Sequence, residues 1–475
     1  MANVKMPSVI INDKMTPTFN AVDFSSSVGC LFGFAEAGPI NTPVKITSWT
    51  EYINTFARGL ASPFNANYEL AYAVYGFFMN GGKELYVVRV LSGTPKKAII
   101  TDNVTKLQVE ATSEGTWGNS LKLIISKSPA YNGEDFKAYD FTLTLGTSEV
   151  AKVTNVLAEN LEQKLAEDPT MSAYVTITPT ATVVLPTSES PTTLTLSTGA
   201  GTDEFSGNEY YCLENLIDLT LVGSVDDVNN LEAFIECAEK YGLYPIMFMD
   251  TDTDADYASL TDVLSMDIKG SVVTNPLYML DPLTSKNKEI NPVGHVMGVY
   301  ARIIGERGIQ KSPAGVDATI RGVVDVKYQY STEQIGILNE VGLIPLINKP
   351  NIGPVVWGAR MCYHTDNTFK YVSDGIINVT IKRYLHQNTE FAVFESNTET
   401  LWASLRTICE AYLESLRQKG VLKGSPGEAY YVIIDGTNNT EESINNGILN
   451  IDIGYAPVKP AEFVTINLAH SIQKA

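Results

Sequence analysis

Histidine and cysteine are scarce in this chain, four and five among 475 residues. The histidines (His295, His364, His386 and His470) lie far apart, none in an HExxH arrangement and none beside a cysteine. General-base chemistry and zinc hydrolysis therefore have no local signature. The cysteines (Cys30, Cys212, Cys237, Cys362 and Cys409) are odd in number and form no CxxC. That excludes a disulfide framework and a zinc knuckle, and suits reduced thiols. No GxSxG elbow is present, and no GxGxxG follows a strand-like run. A Ser/His/Asp triad assembled from distant residues leaves no such trace, but nothing points to one. No cofactor, metal or catalytic residue is expected. No run approaches the length of a membrane-spanning helix, and no apolar leader opens the chain. Basic charge is also short: 34 Lys and Arg stand against 54 Asp and Glu, a net charge of −20. Nucleic-acid backbone is thus a poor partner, because phosphate contacts need a basic surface. More than half of the excess falls within 212–268, where thirteen carboxylates face one lysine.

Two loops imitate known sites and fail on spacing. In "FFMNGGKELYVV" a phosphate loop would need glycine at Phe77 and Ser or Thr at Glu84. Asn80-Gly81-Gly82 reads instead as a helix stop. In "MDTDTDADYASLTD", Asp250, Asp252 and Asp254 alternate as in a calcium loop. The sixth position is Ala255 and the twelfth Thr261, so a solvated loop capping a helix is expected.

What the chain does have is alternating structure in several blocks. Residues 1–22 read as an extended arm in which Val9, Ile10 and Ile11 are β-prone. Residues 23–90 read as an α/β block. Its strands are "SSVGCLFGF" and "ELYVVRV". A short helix is capped by Thr47 or Ser48, and Leu70, Val74, Phe77 and Phe78 stripe a second. Residues 91–205 are rich in Thr and Ser, with candidate strands "LQVEA", "LKLIIS", "DFTLTLG", "AYVTIT", "TVVLP" and "TLTLS" and a helix over "VTNVLAENLEQKLAED". This reads as an inserted sandwich-like module. Residues 206–355 alternate strands and helices, with "LIDLTLVG", "YPIMFMD" and "PLYMLD" as parallel strands.

Residues 356–460 are α+β. Leu401, Leu405, Ile408, Cys409, Tyr412 and Leu416 form the apolar stripe of a long helix, with Ser396 and Glu399 spaced as a capping box. That helix and its exit carry Arg406, Arg417, Lys419 and Lys423 against Glu410 and Glu414. This is either a solvated face whose cations suit a helix C-terminus or a contact stripe for an acidic partner. Residues 461–475 hold a last strand. Phe463, Val464, Ile466 and Leu468 punctuate it, and no turn or following strand offers to pair with it.

Several stretches occur in an order that resembles the contractile tail sheath proteins of bacteriophages and phage-tail-like (R-type) bacteriocins. They are "SSVGCLFGFAEAGPINTPVKITSWTEYINTF", "LAYAVYGFFMNGGKELYVVRV", "EGTWGNSLKL", "GVYARIIGERGIQKSPAG", "GPVVWGARM", "FAVFESNTETLW" and "GYAPVKPAEFV". The resemblance runs from about residue 25 to 470 and is poor within 91–205 beyond Trp117-Gly118-Asn119. It implies a subtilisin-like fold, without its chemistry, for 206–355. It also implies a structural subunit that stacks as six-membered rings around an inner tube. The array would be extended and metastable, and would contract on a signal from the baseplate to drive the tube through a cell envelope. Implied partners are other copies of the chain, the tube protein, and baseplate and terminator proteins; no membrane insertion of its own is implied.

The resemblance further implies arms that add strands to neighbouring C-terminal-domain sheets. Val9, Ile10, Ile11, Phe463, Val464, Ile466 and Leu468 are the expected linking residues. Arg406, Arg417, Lys419 and Lys423 are the candidates for holding the tube. Ending the chain at Lys459 should then spare folding and abolish assembly. The assembled particle would be a phage or bacteriocin tail built in a bacterial cytoplasm. The second reading, from another class, is an α/β-hydrolase-like enzyme with a β-rich binding insert.

Overall fold

The computed structural model describes residues 27–57, 62–65, 67–133, 137–216, 218–226, 236–237, 246–249, 270–362, 369–463 and 465–466. Its centre is an eight-stranded sheet. From edge to edge the order is Gly353–Val356, Leu343–Lys349, Ser271–Thr274, Ile246–Met249, Leu219–Ser224, Val28–Gly33, Glu84–Arg89 and Val44–Ile46. The inner six strands run parallel and the two outer ones antiparallel. Val28–Gly33 is buried along its whole length, as an inner strand covered on both faces must be. Residues 23–90 and 206–355, distinct blocks in the sequence, thus contribute to one sheet.

Two helices cross closely over one face, Leu70–Met79 and Val293–Arg307. Glycine permits the approach: a Cβ on Gly294 would lie 2.1 Å from the Ala73 carbonyl oxygen, and one on Gly298 would lie 2.4 Å from that of Phe77. The first helix ends at Asn80, which is fully buried. The Asn80 amide donates to the Gly76 and Arg321 carbonyls and accepts from the Arg321 N–H. Gly81 then turns the chain at φ +102°. "NGG" is thus a helix stop stitched to a distant loop.

Residues 92–202 form two four-stranded antiparallel sheets. One runs Thr192–Thr195, Leu121–Lys127, Ala138–Leu145, Ser148–Leu157, and the other Ala200–Thr202, Ser92–Asp102, Leu107–Glu114, Val175–Pro179. They share one apolar core, including Leu107, Val109, Leu123, Phe141 and Ile177. Trp117-Gly118-Asn119 closes it. Gly118 packs against Ala98 and Ala111, and the Asn119 amide exchanges two hydrogen bonds with the backbone of Gly199.

The join to the central sheet is a buried arginine. Arg89 donates to the carbonyls of Ala35, Glu36 and Gly38 on one side and of Glu114 on the other. Burial lowers its pKa to about 10.

Three expected elements differ. "VTNVLAENLEQKLAED" is strand up to Leu157, and the helix is only Leu161–Glu167. Val153 and Val156 face the shared core, so burial on one sheet face outweighs helix propensity there. "TVVLP" is irregular: Leu185 is buried in the shared core, while Val184 is exposed and its N–H donates to the Thr105 carbonyl of a turn and not to a neighbouring strand. "PLYMLD" leaves the parallel sheet. Asn275, at φ +87°, turns the chain after Thr274, and its amide donates to the carbonyls of Tyr328 and Leu346. Leu277–Leu280 then pairs antiparallel with Asn287–Ile290 and Asp325–Val326.

The C-terminal part packs the long helix Glu399–Gln418 against the largely buried helix Val372–Thr389. Tyr384 and Tyr412 stack at 3.5 Å between their ring centroids. The long helix starts at Glu399 with Thr398 as its cap residue, so the Ser396–Glu399 capping box does not form. Asn397 instead accepts from the Trp402 indole N–H and fixes the entry. Beside this helix lies a sheet of two strands, Tyr430–Ile433 and Asp452–Tyr455.

Candidate functional site

The C-terminal segment leaves the folded body through a set of specific contacts. After Tyr455 the backbone is stitched to the segment that follows the long helix. Ala456 N–H donates to Ala429, Lys423 N–H to Ala456, and Val458 N–H to Val421. Two charged anchors follow. Lys459 Nζ lies 2.6 Å from Asp374 Oδ2, on a carboxylate whose side chain is only 2% exposed. Burial raises the Asp374 pKa, with Lys459 opposing the shift. Three residues later, Glu462 meets Arg360. The guanidinium donates from Nε to Oε1 at 3.0 Å and from Nη2 to Oε2 at 2.6 Å, a fork-to-fork pair that is nearly buried. Arg360 Nη1 also donates to the Asn339 carbonyl, and the Tyr371 hydroxyl reaches Glu462 Oε2 at 3.4 Å. Beyond this point Phe463 is 79% exposed and Ile466 77%.

The sequence stretches "WGAR" and "PAEF" thus meet in space although a hundred residues separate them. They flank a groove of about 600 Å³, which Ile335, Gly336, Trp357, Ala359 and Phe463 help to line.

Of the expected linking residues, Phe463 and Ile466 are described and point into solvent. Val9, Ile10, Ile11, Val464 and Leu468 lie outside the described residues, as do His364, His470, the aspartates of "MDTDTDAD" and most of the acidic stretch 212–268. The two-stranded sheet pairs with no third strand among the described residues, and its Tyr431 is 57% exposed.

The four expected cationic residues have different surroundings. Arg406 turns back to the Ile434 carbonyl at 2.6 Å. Arg417 is tied to Glu414 at 2.6 Å, and Tyr430 donates to the same carboxylate. Lys419 and Lys423 are exposed at the helix exit. Sequence spacing placed these residues near one another but could not tell which had acceptors in their own fold.

His295 is wholly buried and His386 exposed. Among the described residues, no group of three His, Cys, Asp or Glu could hold a metal ion, and no helix is long and apolar enough to cross a membrane. The Arg360–Glu462 pair was missed in the sequence, although opposite charges in two of its strongest motifs were the available signal.

Residues 367–470, which contain the long helix, the two-stranded sheet and the anchored exit, match the family described as the phage tail sheath C-terminal domain. The tail sheath protein of Vibrio phage KVP40 is 22% identical over 194 residues, 41% of this chain and 28% of that protein. That of Enterobacteria phage T4 is 21% identical over 194 residues, 41% and 29%. Over these stretches the chain is similar to phage tail sheath proteins.

The match spans less than a third of the length of these sheath proteins. Across nearly the whole chain, the fold is that of the helical sheath of the anti-feeding prophage in its contracted state. The TM-score is 0.60 at 20% identity, covering 98% of this chain and 99% of that one. The sheath fold therefore extends over the central sheet and the insert as well as the C-terminal part.

Proposed function

We propose that this chain is the subunit of a contractile tail sheath. It stacks as six-membered rings around an inner tube and drives the tube through a target envelope by passing from an extended metastable array to a contracted one. The particle is a phage tail or a related contractile injection particle. The partners are other copies of the chain, the tube, the baseplate and a terminator. The central sheet is the family's subtilisin-like domain without its catalytic role, and residues 92–202 are a sandwich-like insert.

One observation carries the reading. A two-stranded sheet that pairs with no third strand among the described residues lies beside an anchored segment whose next described apolar residues, Phe463 and Ile466, are largely exposed. Strand addition fits both halves. Main-chain hydrogen bonds give strength, and alternating side chains set the register. Val464, Ile466 and Leu468 would enter a neighbour's sheet, and Val9, Ile10 and Ile11 would do so from the other end. Each buried aliphatic side chain contributes about 1.5–3 kcal/mol before ordering costs. A lone two-stranded sheet is marginal in water, so the recipient gains as well as the donor.

For the tube contact, Lys419 and Lys423 are better candidates than Arg406 and Arg417, whose cations already have acceptors in their own fold. Energy for contraction comes from a difference in interface between the two arrays.

The test is electron microscopy of the recombinant chain, intact and ended after Phe463, with and without tube protein. Striated hollow cylinders from the intact chain alone, or on tube protein, are expected, with folded monomers from the shortened one. Cylinders from the shortened chain would remove strand exchange. Globular particles from the intact chain even with tube protein would remove the sheath reading.

A further inference from the structure

A linking arm must transmit pull, and the fold is poorly built to take it at the two-stranded sheet. Without further anchors, tension on the C-terminal segment would reach first the three backbone bonds at Val458 and Ala456, then the four residue pairs that join Tyr430–Ile433 to Asp452–Tyr455. Loaded one after another, such bonds open one at a time, and a two-stranded ladder has little cooperative reserve.

The charged anchors lie between that weak element and the arm. We propose that Arg360, Tyr371 and Glu462, with Asp374 and Lys459, are a tension clamp. Its function is to pass force from the arm into the central body before that force reaches the two-stranded sheet. The purpose rests on the sheath reading; the geometry does not.

Three features support the assignment. First, the anchors grip opposite neighbours. Glu462 is held by Arg360, which follows the central-sheet strand Gly353–Val356 and also bonds the end of helix Thr332–Glu340 through Asn339. Lys459 is held by Asp374, in the first turn of the buried helix Val372–Thr389. Second, Arg360 and Tyr371 are joined by a backbone bridge, so the two anchors share one frame. Third, the Arg360–Glu462 pair is largely desolvated, with side-chain exposures of 11% and 16%, and in the second pair the Asp374 carboxylate is 2% exposed while Lys459 is 42% exposed. Breaking one leaves a buried charge uncompensated, which makes rupture costly in a way that exposed pairs are not. The arm then pivots at Phe463, the first residue beyond the clamp, and the ring can rotate about that point while the root stays fixed.

The experiment is single-molecule pulling on the full chain, with a handle after Ala475 and an anchor at exposed Glu306→Cys. The lifetime of the first rupture at constant force is the readout. Glu462→Gln keeps shape and an acceptor but loses the charge; Lys459→Met removes the other anchor. Each should shorten the lifetime by about tenfold or more, the scale of one broken buried charge pair. The early release should be about 140 Å, the contour of residues 421–462 at full extension. Unchanged lifetimes in both variants, with native circular dichroism, would overturn the clamp. The pulling needs no assembly, so failure of the intact chain to form cylinders would remove the purpose and leave the mechanical result standing.

Discussion

His295 stands fully buried on the helix Val293–Arg307, and a methyl group on Gly76 would lie 2.2 Å from its Nδ1. Glycine at 76 is therefore required by the imidazole and not by backbone conformation. Gly76→Ala should lower stability by about 1–3 kcal/mol, the usual cost of overpacking, in a urea melt. Burial lowers the His295 pKa to about 4 from an ordinary 6.5. Between those values the unfolded chain binds the proton and the folded chain does not, so this residue's contribution is complete above 6.5 and is lost as pH falls towards 4. Asp226 has the opposite sign, because burial raises its pKa to about 7 and its contribution fades as pH rises from the ordinary carboxylate value to there. The whole-chain pH profile therefore blends the two. The comparison that isolates His295 is His295→Met against the parent. Relative to the parent, the variant should gain about 2–3 kcal/mol between pH 7.5 and 4.5. A constant difference across that range would mean that the histidine does not titrate there.

The long helix Glu399–Gln418 shows what one element owes to its end. Gly420 N–H donates to Arg417 and Val421 N–H to Leu416, the paired bonds of a Schellman stop, with Gly420 at φ +75°. No atom lies within 4 Å of a Cβ built there, so Gly420→Ala meets only backbone strain. A loss of about 1–2 kcal/mol is expected in thermal melts, with the helix otherwise intact. The apolar stripe of this helix was legible in the sequence, as were the buried strands Val28–Gly33 and Glu84–Arg89, because each is written in local spacing. The strand Ser92–Asp102 was not: Pro95, Lys96 and Lys97 break its alternation, and its place is decided by partners at Leu107–Glu114 and Ala200–Thr202. Sheet membership was hidden for the same reason. Nothing near Val28 says that its neighbour is Leu219. The charged exit was half legible: "WGAR" and "PAEF" stood out separately, but their pairing is a long-range contact.

For the molecule as a whole, that pairing changes where the chain can be cut. The sequence alone placed a harmless end after Lys459. The structure puts Glu462 beyond that point, so a chain ending at 459 takes the carboxylate from Arg360, whose side chain is 11% exposed, and leaves it the Asn339 carbonyl. A chain ending at Phe463 keeps both anchors and loses only the apolar tail. The two truncations should therefore separate folding from assembly. Relative to the intact chain, ending at 463 should leave the urea midpoint nearly unchanged. Ending at 459 should cost about 3 kcal/mol or more, as when one member of a buried pair is removed. Neither should form cylinders, because both lack Ile466 and Leu468. If the 459 chain were as stable as the 463 chain, the anchors would be incidental to the fold. If the 463 chain still polymerised, the arm would not be what joins one subunit to the next, and the joining surface would have to be sought on the body itself.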